Sequence, residues 1–182
     1  MVHPDDKELL FMFNDPATSE QAFTGIVKKY QEKLYWHIRR MVINHDDAND
    51  VLQNMFIKVW RGLQNFREDS QLYTWLYRIA TNECLTYLEQ LKKRTAVSLN
   101  DVENGLSNRL KADTNFDATR LEWKLQLGIQ QLPEKQRLVF NLRYYDEMPY
   151  DEMSKILDTS AGALKASYHH AAKKIEEFIL NN

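Results

Sequence analysis

The chain reads as long stretches in which apolar residues recur every three or four positions, separated by short polar breaks. The first stretch predicts a helix from about Ser19, with Phe23, Ile26, Val27, Tyr30, Leu34, Ile38 and Met41 along one side. Asn44-His45-Asp46-Asp47 follows, an amide suited to capping and acids suited to a helix's first turn. The helix behind it carries Ala48, Val51, Leu52, Met55, Phe56, Val59 and Leu63 on its apolar face. Ser70 then reads as the N-cap of a third helix burying Leu72, Leu76, Ile79, Ala80, Leu85 and Leu88. Over residues 95–115 the periodicity is lost, and Ser, Asn, Asp, Thr and Gly105 gather as in a flexible linker. It returns near Phe116 with Leu121, Leu125, Ile129 and Leu132. No strand-like alternation is long enough to count. The pattern predicts an all-α protein: two small helical domains, 1–94 and 116–182, joined by a flexible linker.

The end of the chain has a finer pattern. Pro133 and Pro149 each stand where a first-turn proline opens a helix. The segment 151–157 reads as a short helix, Asp158-Thr159-Ser160-Ala161 as a tight turn, and Gly162-Ala163-Leu164-Lys165 as the start of a longer helix. Two helices joined so closely form a helix-turn-helix, whose second helix can enter a DNA major groove.

Composition narrows the possibilities. The 182 residues are 43 % hydrophobic, with Gly (5) and Pro (4) scarce, which suits packed helices rather than a disordered chain. The formal net charge is −2 and the pI about 6.2, so a strong free-standing grip on DNA phosphates is not expected. That fits a protein that shares DNA binding with a partner. The single cysteine, Cys84, excludes an internal disulfide and any multi-cysteine metal site, and it falls in a helical apolar pattern as a small core residue. No stretch has transmembrane length and no signal peptide opens the chain, so a cytoplasmic location is expected. There is no phosphate-cradling glycine loop, no metal-ligand spacing and no nucleophile–base pair. Neither enzymatic activity, a cofactor, a metal nor a small-molecule substrate is expected.

Two parts of the first block carry candidate chemistry. Asp50, Gln53 and Ile57 share one helix face, with Asn54, Lys58 and Trp60 beside them. From the residues alone this face reads equally as a solvated surface and as a protein-binding surface. Tyr73, Trp75 and Tyr77 cannot all point the same way on a helix, so at least one faces outward near Arg67, Arg78 and Asn82. Taken singly, each aromatic reads best as core. As a cluster they suit stacking on splayed single-stranded bases.

Four segments together resemble the extracytoplasmic-function sigma factors of bacterial RNA polymerase. Ala22-Phe23 through Tyr30 is similar to the family's opening helix, and Asp50 through Trp60 to its polymerase-binding helix. Tyr73 through Asn82 is similar to the promoter-melting segment, and Leu132-Pro133 through Lys174 to the domain that reads the −35 element. The resemblance implies that Asp50, Gln53, Asn54 and Ile57 contact the clamp helices of the polymerase β′ subunit. It implies that Phe66, Arg67 and Ser70 help hold an extruded base of the −10 element, with Trp75, Arg78 and Asn82 on the melted or adjoining DNA. Ser160, Ala161, Gly162, Lys165, Ser167, His169 and Lys173 would lie along the −35 groove. Core RNA polymerase and promoter DNA are the implied partners. An anti-sigma protein, frequently membrane-bound in this family, is a further one.

The chain departs from the family at Asn54, where an acid is common, and at Ser167 and His170, where arginines are common. Lys165, Lys173 and Lys174 remain as the recognition helix's positive charges. An operator-binding regulator that never joins the polymerase would share the helix-turn-helix. It would also need a ligand pocket, phosphoacceptor or dimer seam in the first block, and none is evident.

Overall fold

The computed structural model describes residues 5–95 and 120–181, and the described residues form eight helices with no strand. They are α1 (Asp6–Phe13), α2 (Ser19–Val42), α3 (His45–Leu63), α4 (Leu72–Thr95), α5 (Arg120–Gln130), α6 (Glu134–Tyr144), α7 (Tyr150–Leu157) and α8 (Ala161–Asn181). Apart from Thr95, which ends α4, the expected linker lies outside the described residues.

Helices α2, α3 and α4 pack together around Leu34, Ile38, Met41, Met55, Val59, Leu76 and Leu88. The corner between α2 and α3 is a three-residue turn. Ile43 sits at φ 69°, ψ −46°, and Asn44 N–H donates to the Val42 carbonyl at 2.9 Å. This conformation is strained for a β-branched residue, and the burial of the Ile43 side chain holds it. Asn44 then caps α3 by accepting from Asp47 N–H at 3.0 Å. Asn44→Ala should cost about 1 kcal/mol, read as a lower urea midpoint at unchanged slope.

Two features depart from the sequence reading. Helix α4 begins at Leu72, and its first turn closes from Trp75 N–H to the Gln71 carbonyl at 3.1 Å. The cap position therefore falls on Gln71, not Ser70. Helix α1 was not expected. Asp5 caps it by accepting from Glu8 N–H at 2.8 Å, and Leu9 and Phe13 are buried against the bundle. Asp6 fixes it to α2, accepting from Lys29 Nζ at 2.8 Å and from the Tyr30 hydroxyl at 2.7 Å. Burial pushes the Tyr30 phenol well above its ordinary range, and the Asp6 carboxylate adds to this. Cys84 is fully buried, and its thiol is pushed up by that burial.

In the C-terminal part, α5, α6 and α7 pack on α8. Pro133 and Pro149 occupy the positions just before α6 and α7, one residue earlier than a first-turn proline. Asp158 ends α7 in the left-handed region, at φ 50°, ψ 45°, which an aspartate tolerates. Ala161 belongs to the second helix rather than to the turn.

The two parts are docked on each other. Helix α4 lies against α7, and α2 against α6. One buried cluster runs through both, joining Leu76 and Tyr77 to Leu142, Met148, Met153 and Ile156.

Candidate polymerase and nucleic-acid interfaces

On α3 the buried positions Ala48, Val51, Met55, Val59 and Leu63 face the bundle, a spacing that turns Asp50, Gln53, Asn54 and Ile57 outward. All four are exposed, and Ile57 keeps 43 % of its surface open to solvent. Trp60 is explained differently. Its ring meets Phe13 of α1 at 5.3 Å and Phe23 of α2 at 5.0 Å, both edge-on. It seats α1, the helix missing from the sequence reading.

The α3–α4 loop and the start of α4 bring together only part of the expected aromatic surface. Trp75 is half-buried. Phe66 packs on it with ring centroids 5.0 Å apart, and Gly62 faces it from α3. A Cβ on Gly62 would approach Trp75 Cζ2 to 3.2 Å, so the missing side chain lets the indole settle on the helix. Tyr77 is buried, and Tyr73 is turned toward it, 5.1 Å away. Each of the three rings has a ring partner, and Tyr73 and Trp75 stay partly open to solvent. The exposed groups here are Arg67, Arg78 and Asn82, with Ser70 half-buried. Arg78 and Asn82 are one helical turn apart on α4, and the Lys58–Glu83 ion pair ties that part of α4 to α3.

On α8 the exposed line holds fewer of the expected residues. Gly162, Lys165, His169 and Lys173 are exposed and follow one line along α8. Nothing lies within 4 Å of where a Gly162 Cβ would stand. Ser160 caps the helix, its Oγ accepting from Ala163 N–H at 3.3 Å. Ala161 and Ser167 are half-buried on the flanks rather than on this line. Lys174 bonds Gln136 of α6 at 3.0 Å and so braces the domain. The Lys165 ammonium stands 5.8 Å from the Tyr150 ring.

A charged cluster that the sequence did not suggest joins the two parts. Asp146, between α6 and α7, accepts from Arg40 Nη1 at 3.0 Å and lies 3.4 Å from the Tyr77 hydroxyl. Its second oxygen is 3.6 Å from Nδ1 of buried His37, whose Nε2 meets the Thr81 hydroxyl at 3.0 Å. Thr74 donates to Glu152 at 2.6 Å, and Lys92 to Glu134 at 2.6 Å. Burial holds the Tyr73 phenol up at about 12, with Asp146 and then Glu152 contributing. Tyr77 is raised further still, by burial first and then Asp146. Among the described residues no cluster of His, Cys, Asp and Glu could hold a metal, and no helix is long and apolar enough to cross a membrane.

These features define a two-part helical protein whose C-terminal part carries a helix-turn-helix. The Sigma-70 region 2 family matches residues 26–94, and the Sigma-70, region 4 family matches residues 123–175. The RNA polymerase sigma-H factor of Pseudomonas aeruginosa is 32 % identical over 166 residues, 87 % of this chain and 86 % of the relative. The ECF RNA polymerase sigma-E factor of Escherichia coli K12 is 34 % identical over 167 residues, 86 % of each chain. CnrH, solved with the cytosolic domain of CnrY, superposes with a TM-score of 0.70 at 20 % identity, covering 97 % of this chain and 98 % of its own. The sigma factor RpoE of Bartonella quintana, solved with the anti-sigma factor NepR, superposes at 0.67 with 17 % identity, over 86 % of this chain and 96 % of its own. The chain belongs to the extracytoplasmic-function group of sigma-70 factors, alternative sigma factors that direct transcription initiation with RNA polymerase.

Proposed function

We propose that the N-terminal part, residues 1–94, docks on the β′ clamp helices of core RNA polymerase and opens the −10 element, while residues 116–182 read the −35 element. Residues 95–115 connect them. Asp50, Gln53, Asn54 and Ile57 meet the clamp helices. The support is their exposure on one side of α3, a mixed polar and apolar face on which Ile57 keeps 43 % of its surface open to solvent. This is the observation that carries the reading.

Arg67, Arg78 and Asn82 contact the −10 strand. Trp75 and Phe66 form the wall against which a flipped base rests, with Ser70 at its rim. Unstacking a base costs a few kcal/mol, and contact with this wall and the arginines offsets it. On α8, Gly162, Lys165, His169 and Lys173 line the −35 groove. Ser160, Ala161 and Ser167 shape the helix start and its flank. With few certain charges on α8 and a net charge of −2, DNA binding by the free protein is weak. The polymerase supplies the remaining contacts and the local concentration. Acting through recognition, the protein carries no catalytic step of its own. It works in the cytoplasm, where an anti-sigma protein holds it in reserve.

Pull-down of purified core polymerase tests this reading, comparing wild type with the Asp50→Ala, Gln53→Ala double variant and following promoter-dependent transcription in the same mixture. Binding should fall at least tenfold in the double variant, and transcription should require the wild type. Failure of the wild type to bind core polymerase at any salt concentration would favour the operator-binding regulator.

A further inference from the structure

An isolated helix of eight residues does not persist in water, so α1 is held by what it touches. Asp6 ties it to α2, accepting from Lys29 Nζ at 2.8 Å and from the Tyr30 hydroxyl at 2.7 Å. Leu9 lies over Gly25 of α2, where a Cβ would stand 2.7 Å from Leu9 Cδ2. A glycine in the middle of a helix weakens it, and here the missing side chain lets α1 come close. Phe13, at the end of α1, meets Trp60 of α3 edge-on.

The contact at Phe13 differs from the others. Phe13 is buried, but the indole it meets keeps 38 % of its surface open to solvent. Phe23 of α2 also meets this indole, at 5.0 Å, and Phe23 in turn meets Phe56 of α3 at 6.3 Å. Rings from three helices thus fix a tryptophan that remains exposed. Trp60 stands three residues past Ile57 and seven past Gln53, so it borders the exposed side of α3 that carries both. Trp60 and Ile57 form an apolar strip beside Asp50, Gln53 and Asn54.

Closing the core would need only Leu9 and Phe13 turned inward. It would not need an indole held in place with much of its surface free. Tryptophan is prominent among the residues that carry binding energy at protein interfaces. A ring already fixed by its neighbours also costs less to order when a partner arrives.

Given the polymerase-binding role proposed for α3, we infer that α1 is a positioning element for that face. Asp6 and Leu9 seat the helix, Phe13 fixes the Trp60 ring, and Trp60 joins Ile57 as an apolar anchor against the β′ clamp helices. Phe13 is a positioning residue, acting through Trp60 without touching the polymerase itself.

The test uses the full chain with fluorotryptophan at its four tryptophans. Trp60→Phe assigns the Trp60 resonance. In the free protein, Phe13→Ala should shift and broaden that resonance and leave those of Trp36, Trp75 and Trp123 in place. Affinity for purified core polymerase is then measured by titration, with circular dichroism as the check on folding. Trp60→Ala should weaken binding about tenfold, and Phe13→Ala about fivefold, the size of one aromatic pair. The two combined should lose no more than Trp60→Ala alone, because Phe13 acts through the ring. Phe13→Leu, which keeps apolar bulk against the indole, should recover most of the loss. Asp6→Ala, which loosens α1 without touching a ring, should weaken binding in the same direction. Trp60→Leu, which keeps part of the ring's packing, should do so too and repeats the affinity test with a milder change.

Additive losses from Phe13→Ala and Trp60→Ala would overturn the positioning role. So would a Phe13→Ala spectrum in which all four resonances move together, because that is general loosening. Unchanged affinity in Trp60→Ala, with binding still lost in the Asp50→Ala, Gln53→Ala double variant, would overturn Trp60 as an anchor and leave the polymerase face intact. No binding of core polymerase by wild type would overturn the polymerase face and this proposal with it.

Discussion

Replacing Lys165 and Lys173 together by alanine should weaken promoter binding by the polymerase-bound protein about 30-fold at 0.15 M salt. Each phosphate neutralised by a lysine releases counterions with a slope of about 0.9 in log affinity against log salt. At 0.15 M that is worth about fivefold per contact, and two separate contacts multiply. Both lysines are exposed on the line shared with Gly162 and His169. Thermal stability should therefore stay within about 0.5 kcal/mol of wild type. The measurement is promoter affinity across a salt series, where the slope should fall by about 1.8. An unchanged slope would remove these lysines from the phosphate contacts.

The second large effect belongs to Trp75→Ala, which should destabilise the protein by about 2–4 kcal/mol. Trp75 lies half-buried between Phe66 and the bare backbone of Gly62, and removing the indole leaves both without a partner. For a chain of this size the loss corresponds to a melting temperature lower by roughly 5–15 °C. Arg78→Ala, on the exposed side of the same helix, should leave stability unchanged and reduce promoter opening. Calorimetry and an opening assay with a fluorescent base in the −10 element separate the two roles. Equal stability of the two variants would mean that Trp75 is held for the DNA rather than by the fold.

Much of the fold was legible because helices write their buried face at a spacing of three and four. Positions such as Leu34, Ile38 and Met41, or Val51, Met55 and Val59, announce it without reference to anything distant. The outward turn of Asp50, Gln53, Asn54 and Ile57 follows from the same spacing. Helix α1 was not legible because its stability comes from docking onto α2 through Asp6, Leu9 and Phe13, and no helix-turn-helix pattern marks it as one marks the equally short α7. The contact of Trp60 with Phe13 was not legible for the same reason, since Phe13 belongs to that helix.

The aromatic residues at the start of α4 mark the limit of local reading. Spacing required Tyr73, Trp75 and Tyr77 to diverge. What each would meet depended on the α3–α4 loop and on the C-terminal part. Phe66, close in sequence to Trp75, covers one ring, and Asp146, far along the chain, faces another.

By itself the sequence determined the helices from α2 to α8, much of their inner faces, the helix-turn-helix and the outward side of α3, because backbone hydrogen bonding and side-chain periodicity act within a few residues. Only the tertiary structure decided that the two parts lie against each other, that Lys174 bonds Gln136 of α6, and that Asp146 meets Arg40. Those contacts join residues with no fixed spacing along the chain. Their energies come from burial and charge pairing that exist only once both surfaces are built.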